Sequence, residues 1–157
     1  EFRRVLFRSK KVIASHIGTN PETGRMMNTG EMEVELSPQG TLIERIRAAG
    51  SGLGGVLTPT GLGTIVENGK KIITINNTNY LLELPLKADV SLVKGSIVDE
   101  FGNTYYKATT KNFNPYIAMA AKTVIMEAEN LVKCEQLRTE DIMTPGVLVN
   151  YIIKEAV

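Results

Sequence analysis

The side chains able to do chemistry in this sequence are few, and the clearest sits just behind a helix-start signal. Ser37-Pro38-Gln39-Gly40 follows a strictly alternating run, Glu31-Met-Glu-Val-Glu-Leu36. A serine and then a proline mark a helix beginning, with Ser37 at the cap and Pro38 at the first helical position. An amide such as Gln39 placed there can donate an N–H to a carbonyl oxygen that gains charge during reaction. Its plain alternative is a side-chain cap on the helix. The unpaired backbone N–H groups of a helix start also favour anions.

Other candidates have bland rivals of their own. The glycine-rich run Gly50-Ser-Gly-Leu-Gly-Gly55 leads through Val56-Leu57 into Thr58-Pro-Thr-Gly-Leu-Gly63. Such a run brings backbone close to a ligand, or serves tight turns with φ > 0. It is neither Gly-x-Gly-x-x-Gly nor a phosphate loop, because no Gly-Lys-Ser/Thr follows. Glu31, Glu33 and Glu35 could offer a carboxylate, but a charged alternating face is ordinarily a solvated one. Glu67-Asn68-Gly69 reads as a hairpin turn between Ile65-Val66 and Ile72-Ile73. His16 and Cys134 are the sole residues of their kinds. Neither has a partner motif, so a packed or surface histidine and an inert buried thiol are the readings.

The elements that must position these residues follow from periodicity. Val12-Ile13-Ala14 has a strand's length, and Asn20-Pro21 opens a loop or short helix through Met27 that closes at Gly30. Along Glu31–Leu36, Met32, Val34 and Leu36 share one face. The helix after Pro38 carries Leu42, Ile46 and Ala49 on one stripe and stops at Gly50. A second hairpin is expected from Ser91 to Thr109 around Glu100-Phe-Gly-Asn103. Asn112-Phe-Asn-Pro115 is expected to cap a short helix holding Ile117, Met119 and Ala120. Strands are expected over Thr123–Val132 and Val147–Ile153. This alternation describes an α/β domain with added β-hairpins. In an open sheet of that class, ligands gather beyond the C-terminal ends of strands.

The totals set wide limits. At 157 residues, with 43% hydrophobic and 22% charged, the chain has globular composition. No stretch approaches the ~20 apolar residues of a membrane span, and the net charge of +1 gives no general attraction to nucleic acid. One cysteine excludes an internal disulfide and fits a reducing, cytoplasmic setting. With one histidine, no multi-histidine metal site is expected.

Glu1–Ser9 is basic and aromatic and does not continue the pattern that follows. Leu6-Phe-Arg-Ser9 is what a common sequencing-adapter end translates to, and the apolar stretch is too broken for a signal peptide. Residues 1–9 are therefore expected to be a foreign leader. Without them the charge falls to near −1, so the basic balance carries no message.

Glu31-Met-Glu-Val-Glu-Leu-Ser-Pro-Gln-Gly-Thr-Leu-Ile-Glu-Arg-Ile-Arg-Ala-Ala-Gly50 resembles the E-x-E-V-E-L-x-P-Q-G-T-L-x-E-R-I-R-A-x-G segment of family I CoA-transferase α subunits. Gly52 to Thr64 is similar to that family's next loop. Ala88–Lys94, Asn112-Phe-Asn114, Val124–Val132, Thr139–Ile142 and Pro145-Gly146 add support, so the likeness runs from about Lys10 to the C-terminus. The nearest likeness is to bacterial acetate/butyrate–acetoacetate CoA-transferases.

The resemblance implies an open mixed or parallel sheet of CoA-transferase type with added hairpins. It implies an enzyme that moves CoA between a short-chain acyl-CoA or acetoacetyl-CoA and a carboxylic acid. No cofactor or metal is expected, coenzyme A being part of the substrate. A β subunit, in an α2β2 assembly, would bring the nucleophilic glutamate. Gln39 would then be an oxyanion donor. Gly40, Gly54, Gly55, Thr58, Pro59, Thr60, Gly61, Asn112 and Asn114 would line or fix the acyl pocket, and capping by Asn114 before Pro115 stays open. Family α subunits also begin with a longer stretch of strands and helix than precedes Lys10, so residues 10–157 are expected to be an incomplete α domain. Two rival readings are a non-catalytic α/β module for sugar phosphates and an inactive fragment.

Overall fold

The computed structural model describes residues 9–155, so the leader expected over 1–9 lies almost wholly outside the described residues. The chain divides into two compact units. One holds the described residues up to Leu42 together with Leu57–Glu83, and the other holds Ile43–Val56 and the residues from Leu84 onward.

The first unit starts with a parallel pair. β1 (Lys11–Ala14) and β2 (Glu33–Leu36) run side by side, with Lys11 opposite Glu33 and Ala14 opposite Leu36. Between them lies α1 (Pro21–Asn28). Asn20 caps it by accepting from the Thr23 N–H, and Pro21 stands in its first turn. The alternation of β2 is real, but its sides differ from expectation. Met32 is buried just before the strand, Val34 is half-buried, and Leu36 is 50% exposed. The glutamates are not a free solvated face. Lys11 Nζ reaches Glu33 at 2.7 Å and Glu35 at 3.3 Å, while Arg25 holds Glu31.

α2 (Gln39–Gly50) follows. Its buried positions are Thr41, Arg45 and Ala48, one residue off the expected stripe, while Leu42, Ile46 and Ala49 are half-buried. Period alone pointed to the more apolar stripe, whereas the buried one includes Arg45, whose Nε donates to the Leu84 carbonyl at 3.0 Å.

β3 (Val56–Thr58), β4 (Ile72–Ile75) and β5 (Thr78–Glu83) form a three-stranded sheet in the order β3-β5-β4. The hairpin expected at Glu67-Asn68-Gly69 is not there, because Ile65–Glu67 is a single 3₁₀ turn. The turn lies instead at Asn76-Asn77, both at positive φ (48° and 60°), between antiparallel β4 and β5. Asparagine tolerates that region, so Asn-Asn did the work that Asn-Gly signals more loudly.

The second unit holds a four-stranded sheet of order β7-β6-β8-β9, made of β6 (Ala88–Asp99), β7 (Thr104–Tyr105), β8 (Ala121–Val132) and β9 (Tyr151–Lys154). β6, β8 and β9 are parallel, and β7 returns antiparallel after the expected Glu100–Asn103 turn. The last strand is shorter than expected, since Gly146–Leu148 is a 3₁₀ turn. The core cluster takes Val93 and Val98 from β6 and Val124, Met126 and Ala128 from β8, with Tyr106 and Ala118. Ala118 belongs to α3 (Asn114–Met119), whose Met119 is exposed rather than buried. Fully burying a Val or Met side chain is worth roughly 1.5–3 kcal/mol, so this layer anchors the unit.

Candidate functional site

The strand-to-helix junction is built by backbone. The Ser37 N–H donates to the Ala14 carbonyl at 2.9 Å, extending the parallel ladder one residue beyond β2. The Pro38 carbonyl accepts the first helical bond, from the Leu42 N–H at 2.8 Å. Pro38 therefore stands at the cap and Gln39 is the first helical residue. Ser37 is not the cap: it is buried, and its Oγ has no hydrogen-bond partner. Gln39 and Gly40 are exposed, and a Cβ on Gly40 would meet nothing within 4 Å. No acidic residue stands in the first turn. The partial positive charge of the helix start is thus not compensated by a carboxylate within its first turn.

The glycine loop is held largely by its own side chains. Thr58 Oγ1 accepts from the Thr60 N–H at 3.1 Å, a short turn that fixes Pro59 and Thr60 in exposed positions. Thr64 Oγ1 donates to the Gly61 carbonyl at 2.7 Å and accepts from the Val66 N–H. The Glu67 carboxylate accepts from the Gly63 N–H at 2.7 Å, so it is a loop clasp rather than a turn residue. Gly61 must be glycine for structural reasons: its φ is 99°, and a Cβ would come within 2.8 Å of Val66. Thr64 and Glu67 were missed as loop-formers, although short-range Thr bonds to backbone are a sequence-legible habit. Gly54 is exposed and Gly55 half-exposed; a Cβ on Gly54 would touch nothing within 4 Å.

Of the two asparagines, Asn112 is exposed and does not cap α3, whose cap position belongs to Phe113. Asn114 is a brace. Its Oδ1 accepts from the Lys94 N–H at 3.3 Å and its Nδ2 donates to the Thr110 carbonyl at 2.7 Å. That bond ties α3 to β6 and to the turn Ala108–Lys111, where Ala108 sits at φ 49°. The same turn is pinned by the Lys107 N–H donating to Ser96 Oγ at 2.9 Å. Gln39, Gly40 and Thr58–Gly61 thus lie in the first unit, and Gly54, Gly55, Asn112 and Asn114 in the second.

Sequence reading also missed a buried lock. Asp99 is 2% exposed; its Oδ1 accepts from the N–H groups of Phe101 and Asn103, and its Oδ2 from Asn103 Nδ2. Asn103 Oδ1 in turn accepts from the Gly146 N–H at 2.8 Å. Cys134 is half-buried rather than buried. Desolvation, then the carboxylates of Glu135, Glu100 and Asp99, push its thiol up, which favours the protonated form. His16 is exposed. Among the described residues, no group of three or more His, Cys, Asp or Glu could hold a metal ion, and no helix is long and apolar enough to cross a membrane.

Residues 7–155 match the profile of the coenzyme A transferase family. The chain belongs to that family. It is 75% identical over 146 residues to the acetoacetyl-CoA:acetate/butyrate CoA transferase alpha subunit of Clostridium acetobutylicum, covering 93% of this chain and 67% of the relative. It is 53% identical to the acetate CoA-transferase subunit alpha of Escherichia coli K12, covering 93% and 66%. The chain therefore spans about two thirds of these relatives' length. Among solved structures, glutaconate coenzyme A-transferase of Acidaminococcus fermentans is similar in fold (TM-score 0.81, 18% identity), covering 92% of this chain and 55% of that one. That likeness shows an α/β fold of CoA-transferase type.

Proposed function

We propose that this chain belongs to the α subunit of an acyl-CoA:carboxylate CoA-transferase, acting with a β subunit as a hetero-oligomer. The transfer would run between a short-chain acyl-CoA or acetoacetyl-CoA and a carboxylic acid. The observation that carries the reading is Gln39, exposed at the first position of a helix with no acidic residue in its first turn, in a chain 75% identical to an acetoacetyl-CoA:acetate/butyrate transferase alpha subunit.

In this reading a glutamate of the β subunit attacks the thioester carbonyl. The CoA thiolate leaves, giving an acyl–glutamyl anhydride. The thiolate then attacks the glutamyl carbonyl, releasing the carboxylate and leaving glutamyl-CoA. The incoming acid takes the CoA by the same steps reversed. Each addition places negative charge on a carbonyl oxygen, and the Gln39 amide donates to it. The start of α2 adds a favourable field within its first turn. In the first unit Gly40, Thr58, Pro59, Thr60 and Gly61 would serve substrate binding through backbone and small side chains; in the second Gly54, Gly55 and Asn112 would do so, and Asn114 would hold its neighbouring loops. Coenzyme A enters as substrate, with no further cofactor.

The test is Gln39→Ala in an assembled, full-length α/β pair. Loss of one such donor should lower kcat by about 10²–10³ while leaving KM for acyl-CoA nearly unchanged. Turnover near wild type would end the oxyanion assignment.

A further inference from the structure

The single Asn-Gly pair of the sequence, Asn68-Gly69, carried a hairpin expectation that the fold did not use. A tight turn stands there instead. Beyond the clasp made by its carboxylate, Glu67 accepts the Lys70 N–H on its carbonyl at 3.0 Å. Asn68 has φ −55° and ψ 125°, and Gly69 has φ 75°. Those angles describe a type II turn with Asn68 and Gly69 as its central residues. The turn's bond spans both residues and does not hold the peptide between them. Passing from type II to type I geometry rotates chiefly that peptide. The Gly69 nitrogen can therefore swing toward the Asn68 side chain while the Lys70–Glu67 bond stays closed.

The surroundings leave this amide open. Asn68 and Gly69 are both exposed, and a Cβ on Gly69 would meet nothing within 4 Å. Glycine brings no side chain to hinder the approach of its own nitrogen. Several other asparagines are held. Asn103 Nδ2 donates to Asp99, Asn114 Nδ2 to the Thr110 carbonyl and Asn130 Nδ2 to the Ser96 carbonyl, while Asn150 Oδ1 accepts from the Val124 N–H. Among the described residues, none is seen bonded to the Asn68 carboxamide. Asparagine is also among the thermolabile side chains.

We propose that Asn68 is a site of spontaneous modification, where the Gly69 backbone nitrogen closes on the side-chain carbonyl and the amide becomes an acid that loosens the glycine loop. The nitrogen gives its proton to water or hydroxide and bonds to Asn68 Cγ. The Cγ–Nδ2 bond then breaks, and ammonia leaves with a proton returned by water. The cyclic imide adds water at either carbonyl, giving aspartate or the isomer whose backbone runs through the side chain. Water is consumed, ammonia is released, and nothing is oxidised or reduced. The neighbours give the product its effect. The Glu67 carboxylate clasps the Gly63 N–H at 2.7 Å, and Lys70 Nζ holds Glu83, 2% exposed, at 2.6 Å. A carboxylate at position 68 repels Glu67 and draws on Lys70, and the isomer lengthens the turn.

Ageing the folded chain in mildly alkaline buffer, beside the same chain unfolded in urea, tests the assignment by peptide mass mapping. Folded Asn68 should convert within about ten-fold of its rate in urea, because exposed turns open at little free-energy cost. Asn103, Asn114, Asn130 and Asn150 should stay intact in the folded chain over the same period. The converted fraction, separated by anion exchange, should show amide hydrogen exchange over residues 61–67 at least several-fold faster than fresh protein. Asn68→Ser, a change at an exposed position, should age without that quickening. A larger slowing by the fold would overturn the proposal, as would faster loss at any of the four held asparagines. Equal exchange in the converted and fresh fractions would overturn the loosening of the loop.

Discussion

At the scale of single residues, polar contacts decide more than composition suggests. Arg25 pairs with Glu31 and Glu22, and the hydrogen bond from Arg25, aided by Thr29, holds the Glu31 carboxyl down to about 2. Its folded value lies below the ordinary unfolded value of about 4.3. The pairing therefore stabilises fully above that value, and the contribution is lost as pH falls through about 2. Arg25→Gln should flatten the fall in Tm between pH 5 and pH 2, read by thermal melts across that range; an unchanged acid limb would show the pairing contributes nothing. Ser91 tells the opposite story. Its hydroxyl is buried on the core face without a partner, so burial costs desolvation with no bond in return. Ser91→Ala should raise stability by about 1 kcal/mol in urea melts, and a loss would mean the hydroxyl is satisfied in solution.

At the scale of elements, turns rather than runs set the topology. The β4–β5 connection depends on two consecutive asparagines at positive φ. A β-branched residue resists that region at a cost of about 1–3 kcal/mol. Asn77→Val should therefore destabilise by roughly that amount, seen as a lower urea midpoint with an unchanged m-value. An unaltered midpoint would mean the turn is not fixed as described. The hairpin expected at Glu67-Asn68-Gly69 failed for a related reason. Thr64 caps a 3₁₀ turn there, and that local bond outcompetes the strand that Ile65-Val66 could have made.

For the whole molecule, the sheet of the second unit exposes large apolar side chains: Val90, Leu92, Tyr151 and Ile153 are half or more exposed, with Glu127 in the register between Lys94 and Ile153, and exposed apolar groups favour association. Leu92→Lys should lower dye binding and concentration-dependent scattering of the isolated chain while leaving Tm within about 1–2 °C. Unchanged scattering would place the sticky surface elsewhere.

The sequence by itself determined what short-range rules reach: a short helix opening at Asn20-Pro21, the strand before Ser37, a strand over most of β8, the turn at Glu100–Asn103, and a helix start at Ser37-Pro38-Gln39. It also carried the family likeness, because a twenty-residue ordered run survives without coordinates. Only the tertiary structure decided which stripe of α2 is buried, that Asp99 rather than a turn residue locks the β6–β7 corner, and that Asn114 braces a strand instead of capping a helix. The Asp99 bonds are local, to Phe101 and Asn103, but the contacts that fix the corner and the brace join partners tens of residues away, Gly146 for Asn103 and Lys94 for Asn114. Local periodicity holds no information about contacts of that separation, because they exist only once distant backbone has been brought within hydrogen-bond reach.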